Sequence, residues 1–83
     1  MQLYDNKIRL TDLANELKIS SSALRQHLKN KSPLKEGAEK FGHRLTDDYL
    51  LDINSTLKFL DWLRLKGRKV KMEDIQRIYE ELT

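Results

Sequence analysis

The first regular pattern along the chain is a helical repeat of apolar residues between residues 8 and 17. One helix face, at the spacing i, i+3, i+4, i+7, is formed by Leu10, Leu13, Ala14 and Leu17. The hydroxyl of Thr11 suits it to the N-cap position. The pattern therefore predicts a helix over 8–17, followed by a break at residues 18–20.

A second helix is predicted to begin within the three serines at positions 20–22, whose hydroxyls are suited to capping. Leu24 and Leu28 lie four residues apart and, together with Ala23, give this helix one apolar side. Pro33 disfavours helical backbone at the residue before it, so the helix is expected to end at residues 30–33.

Residues 33–45 contain few apolar residues and are predicted to form a small β-hairpin, with extended segments at 34–35 and 40–45. Thr46-Asp47-Asp48 is expected to cap a long helix over 47–66. The apolar stripe of that helix comprises Leu50, Ile53, Leu57 and Leu60, and it is widened by Leu51, Phe59, Trp62, Leu63 and Leu65.

Lys66 and Gly67 are typical of a helix C-terminus. A last helix is predicted over 72–82, with one side formed by Ile75, Ile78, Tyr79 and Leu82. The order is helix, short turn, helix, small hairpin, long helix, short helix. It predicts a mainly α fold in a single domain over residues 1–83, and leaves open that this is the N-terminal domain of a longer chain.

Charge is distributed unevenly along the chain, whose net charge is +3. Residues 1–44 carry +4 and residues 45–83 carry −1, while the stretch 18–44 alone carries +5. A basic half joined to a nearly neutral half is the electrostatic outline of a nucleic-acid-binding protein. An ordinary basic surface has the same composition, so charge alone leaves both interpretations open.

Composition argues against several other classes. No apolar run approaches the roughly 20 residues that span a bilayer, and the first residues lack the features of a signal peptide. The chain has no cysteine, and its two histidines are not spaced as metal ligands. No nucleophile with a positioned base and no glycine-rich phosphate loop is present. We expect a cytoplasmic, nucleoid-associated protein that makes no membrane contact, uses no metal or cofactor, and is not an enzyme.

The segment 10–29, LTDLANELKISSSALRQHLK, has the spacing of a helix-turn-helix. Arginine pairs well with guanine and glutamine with adenine, so the polar side of the second helix, about 21–30, is a candidate for base reading. The candidate base-reading residues are Ser21, Ser22, Arg25 and Gln26. The candidate phosphate or positioning contacts are Thr11, Ser20, Lys29 and Lys31. The alternative is an ordinary helical hairpin with a solvated polar face.

Two residues depart from the usual form of this motif. Lys18 occupies a turn position where glycine is common, so left-handed backbone there would be strained. His27 occupies a position that is often apolar. We expect its ring to pack at the edge of the core, with a DNA contact as the alternative.

A basic cluster and an aromatic residue near the end of the long helix each have two interpretations. The cluster is either a second phosphate contact or a solvated helix end whose cations suit the helix dipole. Its members are Arg64, Lys66, Arg68, Lys69 and Lys71. Trp62 is expected to belong to the core, and the alternative is a protein-contact patch formed with Phe59.

The whole order of elements over residues 8–82 resembles the DNA-binding domain of the MerR-like winged-helix proteins. That group includes MerR regulators, phage and transposon excisionases, and related chromosome- or plasmid-anchoring proteins. The resemblance is carried by three segments: LTDLANELKISSSALRQHL at 10–28, FGHRLTDDYLLDI at 41–53, and LKFLDWLRLKGRKVKMEDI at 57–75.

The resemblance implies a winged helix-turn-helix that binds double-stranded DNA. The recognition-helix positions of the family match Ser21, Ser22, Arg25, Gln26 and Lys29. The basic wing, about 34–45, matches at Lys35, Lys40, His43 and Arg44. Family members usually dimerise through a later helix, so a homodimer or higher assembly is expected in the full-length protein. Metal-sensing members use cysteines, and this chain has none.

These observations favour sequence-specific DNA binding, in transcriptional regulation, in DNA segregation or partition, or in excisionase-like recombination. The alternative is a helical protein-interaction module that uses the Phe59/Trp62 face and does not bind DNA.

Overall fold

The computed structural model describes residues 3–29, 32–41, 48–66 and 70–83. In these residues the protein is mainly helical with a small antiparallel sheet, as the sequence predicts. The elements in chain order are β1 (Lys7–Arg9), α1 (Leu10–Leu17), α2 (Ser21–Lys29), a 3-10 turn (Pro33–Gly37), β2 (Ala38–Phe41), β3 (Asp48–Asp52), α3 (Ile53–Lys66) and α4 (Met72–Leu82).

The sheet has three strands among the described residues, in the order β1-β3-β2, and both pairings are antiparallel. Leu51 of the central strand lies opposite Ile8 on one side and Ala38 on the other. Ile8 and Leu51 are fully buried, so this rung of the sheet lies over the core. The hairpin β2–β3 is therefore attached to the rest of the domain through its second strand.

The predicted start of the long helix is wrong. Residues 48–52 form strand β3, and helix α3 begins only at Ile53. Asp52 caps it, because its Oδ2 accepts a hydrogen bond from the backbone N–H of Ser55 at 3.2 Å. The predicted cap is therefore misplaced, since Asp48 lies in the strand; Thr46 and Asp47 lie outside the described residues.

Two further local predictions are wrong. Residues 34–35 are not extended, because they belong to the 3-10 turn, for which the fixed φ of Pro33 is well suited. Residues 8 and 9 are the end of β1 and not the start of a helix. Thr11 is consequently inside the first turn of α1, whose N-cap is Arg9.

Of the predicted extended segment 40–45, residues 40 and 41 lie in β2 and the others lie outside the described residues.

The remaining helix boundaries agree with the sequence pattern. Helix α2 occupies 21–29, α3 ends at Lys66, and α4 occupies 72–82. The core contains most of the predicted apolar positions of all four helices. Its buried members are Ile8, Leu10, Leu13, Ala14, Leu17, Leu24, Leu34, Leu51, Phe59, Leu60, Leu63, Ile75 and Ile78. Leu65, predicted to widen the stripe of α3, is instead 86% exposed.

The 3-10 turn packs closely against the junction of β3 and α3. A Cβ atom added at Gly37 would lie 2.8 Å from the Cβ of Asp52 and would also overlap the side chain of Ser55. Leu34 of the same turn is fully buried. Glycine at position 37 therefore allows the turn to approach the residue that caps α3.

The turn between α1 and α2 is built on a left-handed residue. Lys18 has φ 60° and ψ 39°. Its N–H donates to the carbonyl of Asn15, and the N–H of Ile19 donates to the carbonyl of Ala14, both at 3.1 Å. This is the Schellman pattern that ends many helices, usually with glycine at the left-handed position. The left-handed backbone considered at Lys18 in the sequence analysis is therefore confirmed.

A charged cluster joins the C-terminal end of α1 to α4. Arg77 donates from Nη1 to the carboxylate of Glu16 at 2.6 Å and from Nη2 to the Glu16 carbonyl at 3.1 Å. The hydrogen bond with Glu16 raises the pKa of Arg77. Asp74, which is buried, lies 3.7 Å from both Arg77 and the Nζ of Lys18. The cluster fixes the end of α1 from which α2 departs.

We expect Lys18→Gly to be more stable than Lys18→Ala by about 1 kcal/mol, because only glycine adopts the left-handed backbone without a steric cost. Both changes remove the exposed lysine and its ion pair with Asp74, so their difference isolates the backbone. The free energy of unfolding in urea measures it. Equal stabilities, or a more stable alanine variant, would contradict this account of the turn.

Candidate nucleic-acid interface

Helix α2 is positioned by its first residues and by one leucine. The Oγ of Ser20 accepts a hydrogen bond from the N–H of Ala23 at 3.1 Å, and the Ser20 carbonyl accepts one from the N–H of Leu24. Ser20 is therefore the N-cap, one of the three serines that the sequence offers for this position. The side chain of Leu24 is fully buried and that of Leu28 is partly buried against the core. These contacts orient the opposite side of α2 towards solvent.

The outward side of α2 is polar and carries no carboxylate in the first turn. Ser22, Ala23 and Gln26 are exposed, whereas Ser21 and Arg25 are half-buried. Ser22 and Gln26 lie one helical turn apart and form what we call the exposed ridge. Of the four predicted base-reading residues, two are thus exposed and two are half-buried.

A cleft of about 240 Å³ lies beside the exposed ridge, between α2 and the sheet. Its described lining consists of Ser22, Arg25, Gln26, Leu28 and Tyr49. Tyr49 belongs to the central strand β3 and is half-buried against the core. Sequence reasoning missed this residue because it assigned position 49 to the first turn of the long helix.

The other flank of α2 contacts the aromatic residues of α3. The ring of His27 lies 5.0 Å from that of Phe59 and 5.4 Å from that of Trp62, edge to face in both cases. Phe59 is fully buried and stacks on Trp62 at 5.8 Å, and Trp62 is half-buried. The Nζ of Lys66 lies 5.8 Å from the centre of the Trp62 ring. The expected packing of His27 at the core edge is confirmed, and Trp62 packs partly against the core.

The structure describes only some of the predicted phosphate and wing residues. Thr11 is half-buried in the first turn of α1, and the hydroxyl of Ser20 is engaged as the cap of α2. Lys29, Lys35 and Lys40 lie in α2, the 3-10 turn and β2 respectively, but their side chains lie outside the described part of the structure. Lys31, His43 and Arg44 lie outside the described residues altogether.

Within the described ranges, no cluster of three or more His, Asp or Glu residues is arranged to hold a metal ion. The described helices include none with the length and apolar character needed to cross a membrane. Comparison of the chain with protein-family models, with curated proteins and with solved structures finds no match.

The environment of His27 predicts a pH-dependent stability. Burial lowers the pKa of His27 from its ordinary value of 6.5, and its buried Nδ1 finds no hydrogen-bond partner among the described residues. The unfolded chain therefore takes up this proton at a higher pH than the folded chain. The free energy of unfolding should be fully retained above about pH 6.5 and should fall as the pH drops below it.

Urea unfolding at several pH values between about pH 8 and pH 5 tests this prediction. The control is His27→Leu, which removes the titrating ring and keeps an apolar side chain against Phe59 and Trp62. It should lose less stability than the unaltered protein over the same range. An identical pH profile for the two proteins would mean that other groups cause the dependence.

Proposed function

We propose that this protein is a sequence-specific double-stranded-DNA-binding domain of the winged helix-turn-helix type. Helix α2 is the recognition helix that enters the major groove, and α1 supports it across the turn at Lys18. The hairpin β2–β3 is the wing. The protein acts as a transcriptional regulator or as a DNA segregation or partition factor, as a homodimer or higher assembly.

The observation that carries the proposal is the form of the outer side of α2. A major groove accepts a single helix whose projecting side chains can donate and accept hydrogen bonds at base edges. The exposed ridge offers a hydroxyl at Ser22 and an amide at Gln26, and the first turn of the helix holds no carboxylate to repel phosphates. Gln26 can form a bidentate pair with adenine.

The two flanks of α2 also fit a groove-bound helix. On the sheet side lies Arg25, which lines the cleft together with Tyr49. On the other side Lys66, a member of the basic cluster, lies over the ring of Trp62. Phosphates line both sides of a major groove, so cations on both flanks favour binding.

Selection against a pool of random duplexes at near-physiological salt tests the proposal. An enriched motif would support specific recognition, and the arrangement of its half-sites would distinguish the roles. Inverted half-sites fit a symmetric dimer, whereas direct repeats fit head-to-tail assembly. Absence of binding even at low salt would overturn the proposal.

We expect Gln26→Ala to weaken binding to the selected site by about 1–3 kcal/mol and to relax the preference at one base pair. The matched control is Gln76→Ala, the same change at an exposed glutamine on α4. It should leave both affinity and preference unchanged. Titration of each variant against the selected duplex and its single-base variants makes the measurement. Unaltered base preference in Gln26→Ala would exclude Gln26 from base reading.

A protein-interaction module without DNA affinity is the second candidate. Phe59 is fully buried, so of the predicted aromatic face only part of Trp62 is accessible. The observation that favours this candidate is the exposure of Leu65 (86%) and Met72 (58%), at the end of α3 and the start of α4. Charge reversal at Arg25 and Lys29 separates the two candidates, because it abolishes DNA binding and leaves an apolar contact intact.

A further inference from the structure

The cleft between α2 and the sheet is lined mainly by side chains that can donate hydrogen bonds. Three of its described lining residues can donate hydrogen bonds from their rim positions on α2: Ser22, Arg25 and Gln26. Tyr49 adds a phenolic hydroxyl from β3, and Leu28 adds an apolar surface. No acidic side chain is among the described residues that line it. Hydrogen-bond donors of this kind, one of them a guanidinium, suit an anionic group.

The cleft extends from the exposed ridge to residues that are half-buried. Ser22 and Gln26 are exposed, whereas Arg25 on α2 and Tyr49 on β3 are half-buried. When a helix enters a major groove, its projecting residues meet base edges and its flanks meet the sugar-phosphate backbone on either side. The position of Arg25 is therefore that of a residue facing the backbone.

We propose that this cleft binds one phosphodiester group of the DNA backbone, with the guanidinium of Arg25 and the hydroxyl of Tyr49 as its donors. The inference rests on the proposed function and makes it more specific. Arginine holds phosphate through charge-assisted, often bidentate, hydrogen bonds, and a tyrosine hydroxyl adds a neutral donor. The cleft volume of about 240 Å³ is large enough for such a group together with some water.

The proposal changes the role of Arg25. The sequence alone predicts a base-reading arginine, whereas the cleft assigns it to positioning the helix in the groove. Base reading in α2 is then left to the exposed ridge, together with any contribution from Ser21. Tyr49 becomes a DNA-contacting residue that joins the sheet to the recognition helix at one phosphate.

Two variants test the assignment on two duplexes, the selected site and a mixed-sequence duplex of the same length. Arg25→Ala should weaken binding to both by the same factor, about 10-fold to 100-fold, and lower the slope of log affinity against log salt by about one unit. Tyr49→Phe should weaken both by about fivefold to tenfold without altering the slope, because it removes a neutral donor. Thermal melting checks that each variant remains folded.

Replacing single phosphates of the selected duplex by neutral methylphosphonates locates the contact. At one position, the replacement should abolish the difference in affinity between Arg25→Ala and the unaltered protein. Replacement at the same position should also abolish the difference in affinity between Tyr49→Phe and the unaltered protein. The matched control is Arg64→Ala on α3. Any difference in affinity between this variant and the unaltered protein should remain when the phosphate at that position is replaced. Arg64 is held by Asp61 and Gln76 and lies over the ring of Tyr79.

The outcomes separate this inference from the proposed function. If the unaltered protein binds no duplex at low salt, both are overturned. If it binds DNA but Arg25→Ala relaxes one base preference and leaves the mixed-sequence duplex unaffected, Arg25 reads a base and the phosphate assignment is wrong. If DNA binding is unchanged in both variants, the cleft does not contact DNA.

Discussion

Strand β3 pairs on both of its edges, and most of the domain is arranged around it. Its hydrogen bonds to β1 and β2 place Leu51 over the core between Ile8 and Ala38. Its last residue, Asp52, caps α3, and its second residue, Tyr49, reaches the cleft beside α2. One short strand therefore determines where the long helix begins, where the hairpin returns and which side chain accompanies the recognition helix.

The sequence predicts the helices well where their apolar spacing is local and complete. Helices α2 and α4 are within a residue of their predicted bounds, because Leu24 and Leu28, or Ile75 and Ile78, report one buried side. Strand β3 was missed because Leu50 continues the i, i+3 stripe of α3 backwards into residues that pair with other strands. Those pairings join residues far apart in the chain, and local spacing carries no information about them.

The candidate interface was likewise predictable only where it depends on local spacing within a helix. The cap at Ser20 and the exposure of Ser22 and Gln26 follow from helix periodicity and from the hydroxyl side chains that precede the helix. The cleft was not predictable, because it combines residues of α2 with Tyr49, which belongs to a strand and is distant from them in the chain.

The shallow attachment of α2 has a consequence for the dynamics of the domain. Among its described side chains only Leu24 is fully buried, while Leu28 and His27 are partly so. A segment with so little buried apolar surface opens at a lower free energy than the elements around Leu51 and Phe59, and its backbone amides exchange with solvent sooner. Any macromolecule that binds this helix must restrict that opening. Part of the gross contact energy is then spent on ordering the helix, and the measured affinity is correspondingly lower.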